Sequence, residues 1–156
     1  LKLYQERLAL LESLTLISED DTIHEDLEPP KTNPKTESIL KNGLAIASLA
    51  VPIPGLTLAI FYLADVNRYK CAAKVEREGG ENKSVRFAQC RLAAAKWAEN
   101  YVKKEIAKCK STKDPGKCQK KLFKLLRSVV QKRVDAEGKL RWVVAKTKER
   151  QRRAGL

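Results

Sequence analysis

Apolar residues recur at intervals of three and four from the start of the chain: Leu1, Tyr4, Leu8, Leu11 and Leu14, with Leu10, Leu16 and Ile17 widening the stripe. That spacing lies on one face of a helix, so residues 1–17 read as an amphipathic helix with a side to bury against its own chain or a partner. Ser18-Glu19-Asp20-Asp21 ends the pattern, and Pro29, Pro30 and Pro34 follow among acidic and polar residues. Proline pairs hold a chain locally extended, so residues 18–38 read as an extended, acidic N-terminal linker.

Residues 39–64 read as an apolar helical hairpin, and the stretch 44–64 contains no charged residue. Its length matches a membrane span, but Pro52, Pro54 and Gly55 remove donors and interrupt a continuous helix. Two legs of about 12 Å each follow at 1.5 Å per residue, neither long enough to cross a bilayer alone. Leu44, Ile46, Leu49, Val51, Pro52, Ile53, Pro54, Gly55, Leu56, Leu58, Ile60, Phe61 and Leu63 are its candidate contact residues, facing either lipid or the core of a helical assembly.

The second leg runs on past Gly55 to Glu78, where Gly79-Gly80-Glu81-Asn82 is a stop. Ser84 is a candidate cap for the next helix, which passes through Trp97 and Tyr101 to about Lys110. Asp114 and Pro115 then supply a cap and a first-turn proline for a helix carrying Cys118, Leu122, Leu125, Leu126 and Val129 on one face. Gly138 is a candidate end or bend, separating residues 65–137 from a basic C-terminal segment, 138–156. No segment alternates as a strand does, so the fold class is all-α: antiparallel helical hairpins preceded by an extended linker.

Four cysteines sharpen this picture. Cys71 and Cys90 are centred on the Gly79-Gly80 turn, and Cys109 and Cys118 on the turn at Asp114. Residues equally far from the turn of an antiparallel helix pair lie at the same height, so disulfides Cys71–Cys90 and Cys109–Cys118 are expected, with buried thiols as the alternative. A single four-cysteine metal site is excluded, because Cys90 and Cys109 on one helix are about 28 Å apart. Disulfides imply an oxidising environment.

The net charge of +13 is uneven: residues 1–43 carry 5 basic and 9 acidic side chains, residues 44–116 carry 13 and 7, and residues 117–156 carry 14 and 3. The cluster after Trp142, Lys146, Lys148, Arg150, Arg152 and Arg153, is a candidate contact for non-specific DNA or another anionic surface, or a solvated tail. No cofactor or metal is expected. Catalysis has little foothold, since the one histidine, His24, lacks a nucleophile in context, and the acids Asp20, Asp21, Glu25 and Asp26 sit in an unanchored linker. The chain reads as non-enzymatic. With Leu1 first and no Met, it reads as a processed product or part of a longer chain.

The Cys109-Lys-Ser-Thr-Lys-Asp-Pro-Gly-Lys-Cys118 hairpin, with the Arg-Tyr-Lys-Cys71 and Cys90-x6-Trp97 contexts, resembles cysteine-stapled helical segments of tailed-bacteriophage virion proteins over roughly 67–130. The resemblance implies a structural component of the tail, baseplate or DNA-ejection apparatus, working as a homo-oligomer with other virion proteins. It implies a place in the virion, with host-envelope contact during infection. Two readings from other classes stand beside it: a membrane-inserting or pore-forming helical protein, and a basic nucleic-acid-binding module.

Overall fold

The computed structural model describes residues 26–41 and 53–155, and within them the protein is all-α. The helices are α1 (Pro34–Lys41), α2 (Ile53–Glu78), α3 (Lys83–Lys108) and α4 (Pro115–Arg153), with one turn of 3₁₀ helix at Cys109–Ser111. Residues 1–17, His24 and residues 44–52, whose roles were expected from the sequence, lie outside the described residues.

Each boundary has a local cause. Asn33 accepts the Thr36 N–H at its side chain, at 2.8 Å, and the Glu37 N–H at its carbonyl, at 3.0 Å. With its donors capped and Pro34 in the first turn, α1 forms where the sequence alone reads as linker to residue 38. Pro54 and Gly55 fall in the first turn of α2, so the interruption at Pro-Ile-Pro-Gly starts a helix. At the next turn Gly79, Gly80 and Asn82 take φ of 61, 91 and 60°, a region that favours glycine and admits Asn. Asn82, rather than Ser84, precedes the first residue of α3. Asp114 caps α4 by accepting the Lys117 N–H at 3.1 Å, and Pro115 opens the helix.

Gly138 does not end α4, which runs unbroken for 39 residues. An interior glycine costs only about 1 kcal/mol. Ala136, Lys139 and Leu140 around it favour helix, and the Arg133–Glu137 pair at 2.9 Å ties the turn before it.

Helix α3 is central, packed between α2 and α4 as successive antiparallel hairpins. One core cluster joins Leu56, Ile60 and Ala64 of α2 to Ala94, Ala98 and Val102 of α3 and Leu122, Leu125 and Val129 of α4. Ala72, Val75, Phe87 and Cys90 form a second, nearer the Gly79-Gly80 turn. Alanine at so many contact positions lets the backbones approach closely. The α2 leg of the predicted apolar hairpin is therefore protein core: Leu56 and Ile60 are fully buried and Ile53 packs against the same cluster. Among the described residues no helix is long and apolar enough to cross a membrane.

Candidate functional site

Both expected disulfides are present, Cys71–Cys90 and Cys109–Cys118, each with its Cα atoms 5.6 Å apart. Each bridge ties a hairpin to a core cluster, since Cys90 belongs to the smaller one and Cys109, fully buried, to the larger. Thr112 locks the turn between the second pair by donating its hydroxyl to the Cys109 carbonyl.

The acidic linker is anchored at Asp26, contrary to the sequence expectation. Asp26 is buried and takes both prongs of the Arg91 guanidinium, with Nε to Oδ1 at 2.8 Å. Arg68 donates Nη1 to the Asp26 carbonyl at 2.9 Å and lies 3.5 Å from its carboxylate. One carboxylate thus joins α2 to α3, and a forked pair of this kind is among the stronger polar contacts.

Beside this clamp a cleft of about 210 Å³ lies between α2, α3 and α4, floored by Ala64, Ala94, Ala95 and Ala136. Its charged walls are already engaged. Asp65 faces Arg68 at 3.7 Å and Lys132 at 3.9 Å, Asp135 accepts from Gln131, and the two arginines hold Asp26. Lys132 also lies over the Phe61 ring, 4.2 Å from its centre. The cleft is an ion-paired seam between helices.

Unneutralised charge collects instead at the tip closed by Cys109–Cys118. Residues 103–127 contain ten basic side chains, nine of them lysine, against two acids. Lys103 is about 8 Å from the end of α3 and Arg127 about 18 Å from the start of α4, at 1.5 Å per residue, so the hairpin gathers all ten at one end of the molecule. Neither acid is spare: Asp114 serves as the α4 cap, and buried Glu105 pairs with Lys108 at 3.2 Å. Lys103 reaches Glu99 at 3.2 Å, while Lys104, Lys110, Lys113, Lys117, Lys120, Lys124 and Arg127 make no ion pair among the described residues. Lys117, Lys120, Lys124 and Arg127 lie on the α4 face opposite Leu122, Leu125 and Val129. Phe123, 49% exposed, borders that stripe.

Tyr101 stabilises the underside of the tip. Its ring stacks on Trp97 with centres 5.5 Å apart. Burial, together with the charge of Glu105 and a hydrogen bond to it, pushes the phenol up to about 12. Glu105 thus divides its carboxylate between the Tyr101 phenol and Lys108.

The predicted basic tail occupies the last turns of α4, where its charge is partly answered within the helix. Glu149 accepts from Arg152 at 2.8 Å and lies 3.4 Å from Arg153, and the hydrogen bond from Arg152 holds its carboxyl below the usual range. Lys146 sits over the Trp142 ring at 4.8 Å, and Lys148 and Arg150 are exposed. The tail and the tip are separated along α4. Of the predicted hairpin residues in α2, Pro54 and Leu58 are exposed, the latter by 56%, and Gly55, Phe61 and Leu63 are half-buried.

A charge count by thirds of the chain divides the tip between two blocks and hides it. A window centred on the Asp114 turn would have found it, since a hairpin brings the residues on either side of its turn together. Among the described residues no three His, Cys, Asp or Glu side chains group as metal ligands would.

No family model, curated protein or solved structure matches the chain.

Proposed function

We propose that the protein is a non-catalytic, disulfide-stapled helical scaffold whose tip holds a phosphate-rich polymer, duplex nucleic acid being the best fit. The supporting observation is the concentration of ten cations at one stapled end with both local acids occupied. Phosphate binding by such a surface draws on counterion release and needs no base-specific geometry. A lysine-dominated stripe suits that, since an ammonium acts as a point charge rather than a planar fork. A lipid surface fits less well. The apolar side of α4 at the tip is spent on the core, leaving Phe123 as its large exposed apolar group, whereas an interfacial helix needs a continuous apolar face.

Binding of the full chain to a short DNA duplex, followed by fluorescence anisotropy at several salt concentrations, tests this. If about five of the tip cations meet phosphates, the slope of log K against log salt is near −4.5, or roughly a 500-fold loss for a fourfold rise in salt. The triple variant Lys117→Glu, Lys120→Glu, Lys124→Glu should flatten that slope by about 3. Lys148→Glu, Arg150→Glu, Arg152→Glu changes the net charge equally and should leave most of the slope. Equal losses from the two triples would refute a specific role for the tip.

The tailed-phage virion is a second proposal, and it rests on the resemblance in the cysteine contexts. The two disulfides favour it, since a released particle works outside the reducing cytosol. Mass spectrometry of purified particles tests it: the chain at a fixed copy number per particle is the expected result, and its absence rejects the proposal.

A further inference from the structure

The last turns of α4 carry more apolar surface than the described core uses. Leu140, Trp142, Val143, Val144 and Ala145 are five apolar residues in six. Yet the buried residues of α4 end at Val129, and neither core cluster includes an α4 residue beyond it. Trp142 is 37% exposed, and Leu140, Val143 and Val144 are half-buried. A helix this apolar over nearly its whole circumference calls for cover.

We infer that this surface is a docking site for residues 1–17 of the same chain. The first reason is where the undescribed length of chain ends. Residues 1–25 join the described structure at Asp26, which Arg68 and Arg91 clamp at the cleft whose α4 wall is Lys132, Asp135, Ala136 and Lys139. Leu140 follows that wall directly. The eight residues 18–25 can span up to about 28 Å, enough to bring residues 1–17 alongside.

The second reason is pattern. Leu1, Tyr4, Leu8, Leu11 and Leu14 share one helical face. Seventeen residues would make a helix of about 26 Å, against about 9 Å for the apolar turns Leu140 to Ala145, so the leucine stripe is long enough to cover them.

The third reason is charge. Residues 1–17 hold two acidic and two basic side chains and are neutral overall, the connecting residues 18–25 hold four acids and no Lys or Arg, and residues 139–153 hold seven basic side chains and one acid, a net of +6, so the connection supplies the complementary charge. A second copy of α4 laid on the same surface would instead bring like charges together, which disfavours α4-to-α4 pairing. The inference is independent of what the tip binds.

Hydrogen exchange on the full-length chain tests it. Leu8→Asp with Leu11→Asp places charge on the stripe, and Ser13→Asp places one off it. The stripe variant should speed exchange of the amides of residues 140–147 at least about tenfold, while Ser13→Asp leaves them unchanged. Residues 94–102 should stay protected in both, showing an intact core. From the other side of the contact, Val144→Asp should speed exchange of residues 4–14. Unchanged exchange at 140–147 in the stripe variant would overturn the docking. Protection lost on dilution, with a fall from dimer to monomer mass, would assign the surface to a second copy and overturn the intramolecular contact.

Discussion

Reducing both disulfides should cost the protein most of its resistance to urea. Cys71–Cys90 closes a sequence separation of 19 and Cys109–Cys118 one of 9. By the chain-entropy relation these restrict the unfolded chain by about 3 and about 2.5 kcal/mol. Together that is roughly 5–6 kcal/mol, comparable with the whole stability of many domains. The expectation follows from the architecture as well as from polymer statistics, because each bridge joins the two arms of a hairpin and anchors a core cluster. Urea unfolding followed by circular dichroism should show the midpoint falling by roughly 2–3 M on reduction, for a slope of about 2 kcal/mol/M. Alanine pairs made one bridge at a time should rank Cys71–Cys90 as the larger contributor. A shift below about 0.5 M would mean that the helix packing alone holds the hairpins.

Asp26→Ala should be the most damaging single change to a charged residue. The carboxylate is 3% exposed, and Arg68 and Arg91 that surround it are 16 and 17% exposed. Removing it strands the largely buried Arg91 guanidinium and leaves Arg68 with Asp65 and the carbonyl of residue 26 as its partners. Loss of one partner from a fully buried pair costs about 3–5 kcal/mol, and the partial access of both arginines to water lowers this to about 2–4 kcal/mol. Chemical denaturation of Asp26→Ala, Arg91→Ala and the double variant measures it. The double variant should be less destabilised than the sum of the singles, with a coupling of about 1–3 kcal/mol. An Asp26→Ala protein within about 0.5 kcal/mol of the parent would show the clamp to be inert.

The contrast between these two features explains how much of the fold was legible in the sequence. The cysteine pairing could be read because an antiparallel hairpin makes height a function of distance from its turn, and the turns at Gly79-Gly80 and Asp114-Pro115 carry strong local chemistry. The α4 start could be read for the same reason, from one aspartate and one proline. Asp26 could not, because its partners lie 42 and 65 residues away and nothing local marks an aspartate in an acidic linker as the one that will be buried. Asn33-Pro34 carried a legible helix start, a cap followed by a first-turn proline, which the proline content of the linker obscured. Gly138 misled in the opposite direction, since the helix formers around it outweigh one interior glycine.

The candidate site divides in the same way. The C-terminal cluster Lys146 to Arg153 stands out in one dimension because its charges are contiguous. The tip does not, because its ten cations straddle a turn and become one surface only when α3 and α4 fold together. Contiguous charge on one helix is also the charge most readily answered by an acid one turn away, as Glu149 answers Arg152 and Arg153. The outward face of α4 near its start has no such acid: Lys117, Lys120, Lys124 and Arg127 succeed one another with none between them.

Chemical-shift mapping on the full oxidised chain locates the polymer-binding surface residue by residue. Titrating a short DNA duplex into labelled protein should perturb the amides of Lys110, Lys113, Lys117, Lys120, Phe123, Lys124 and Arg127, with those of residues 146–153 changing little. Perturbation confined to residues 146–153, with the tip unmoved, would assign binding to the end of α4 and rule out the tip.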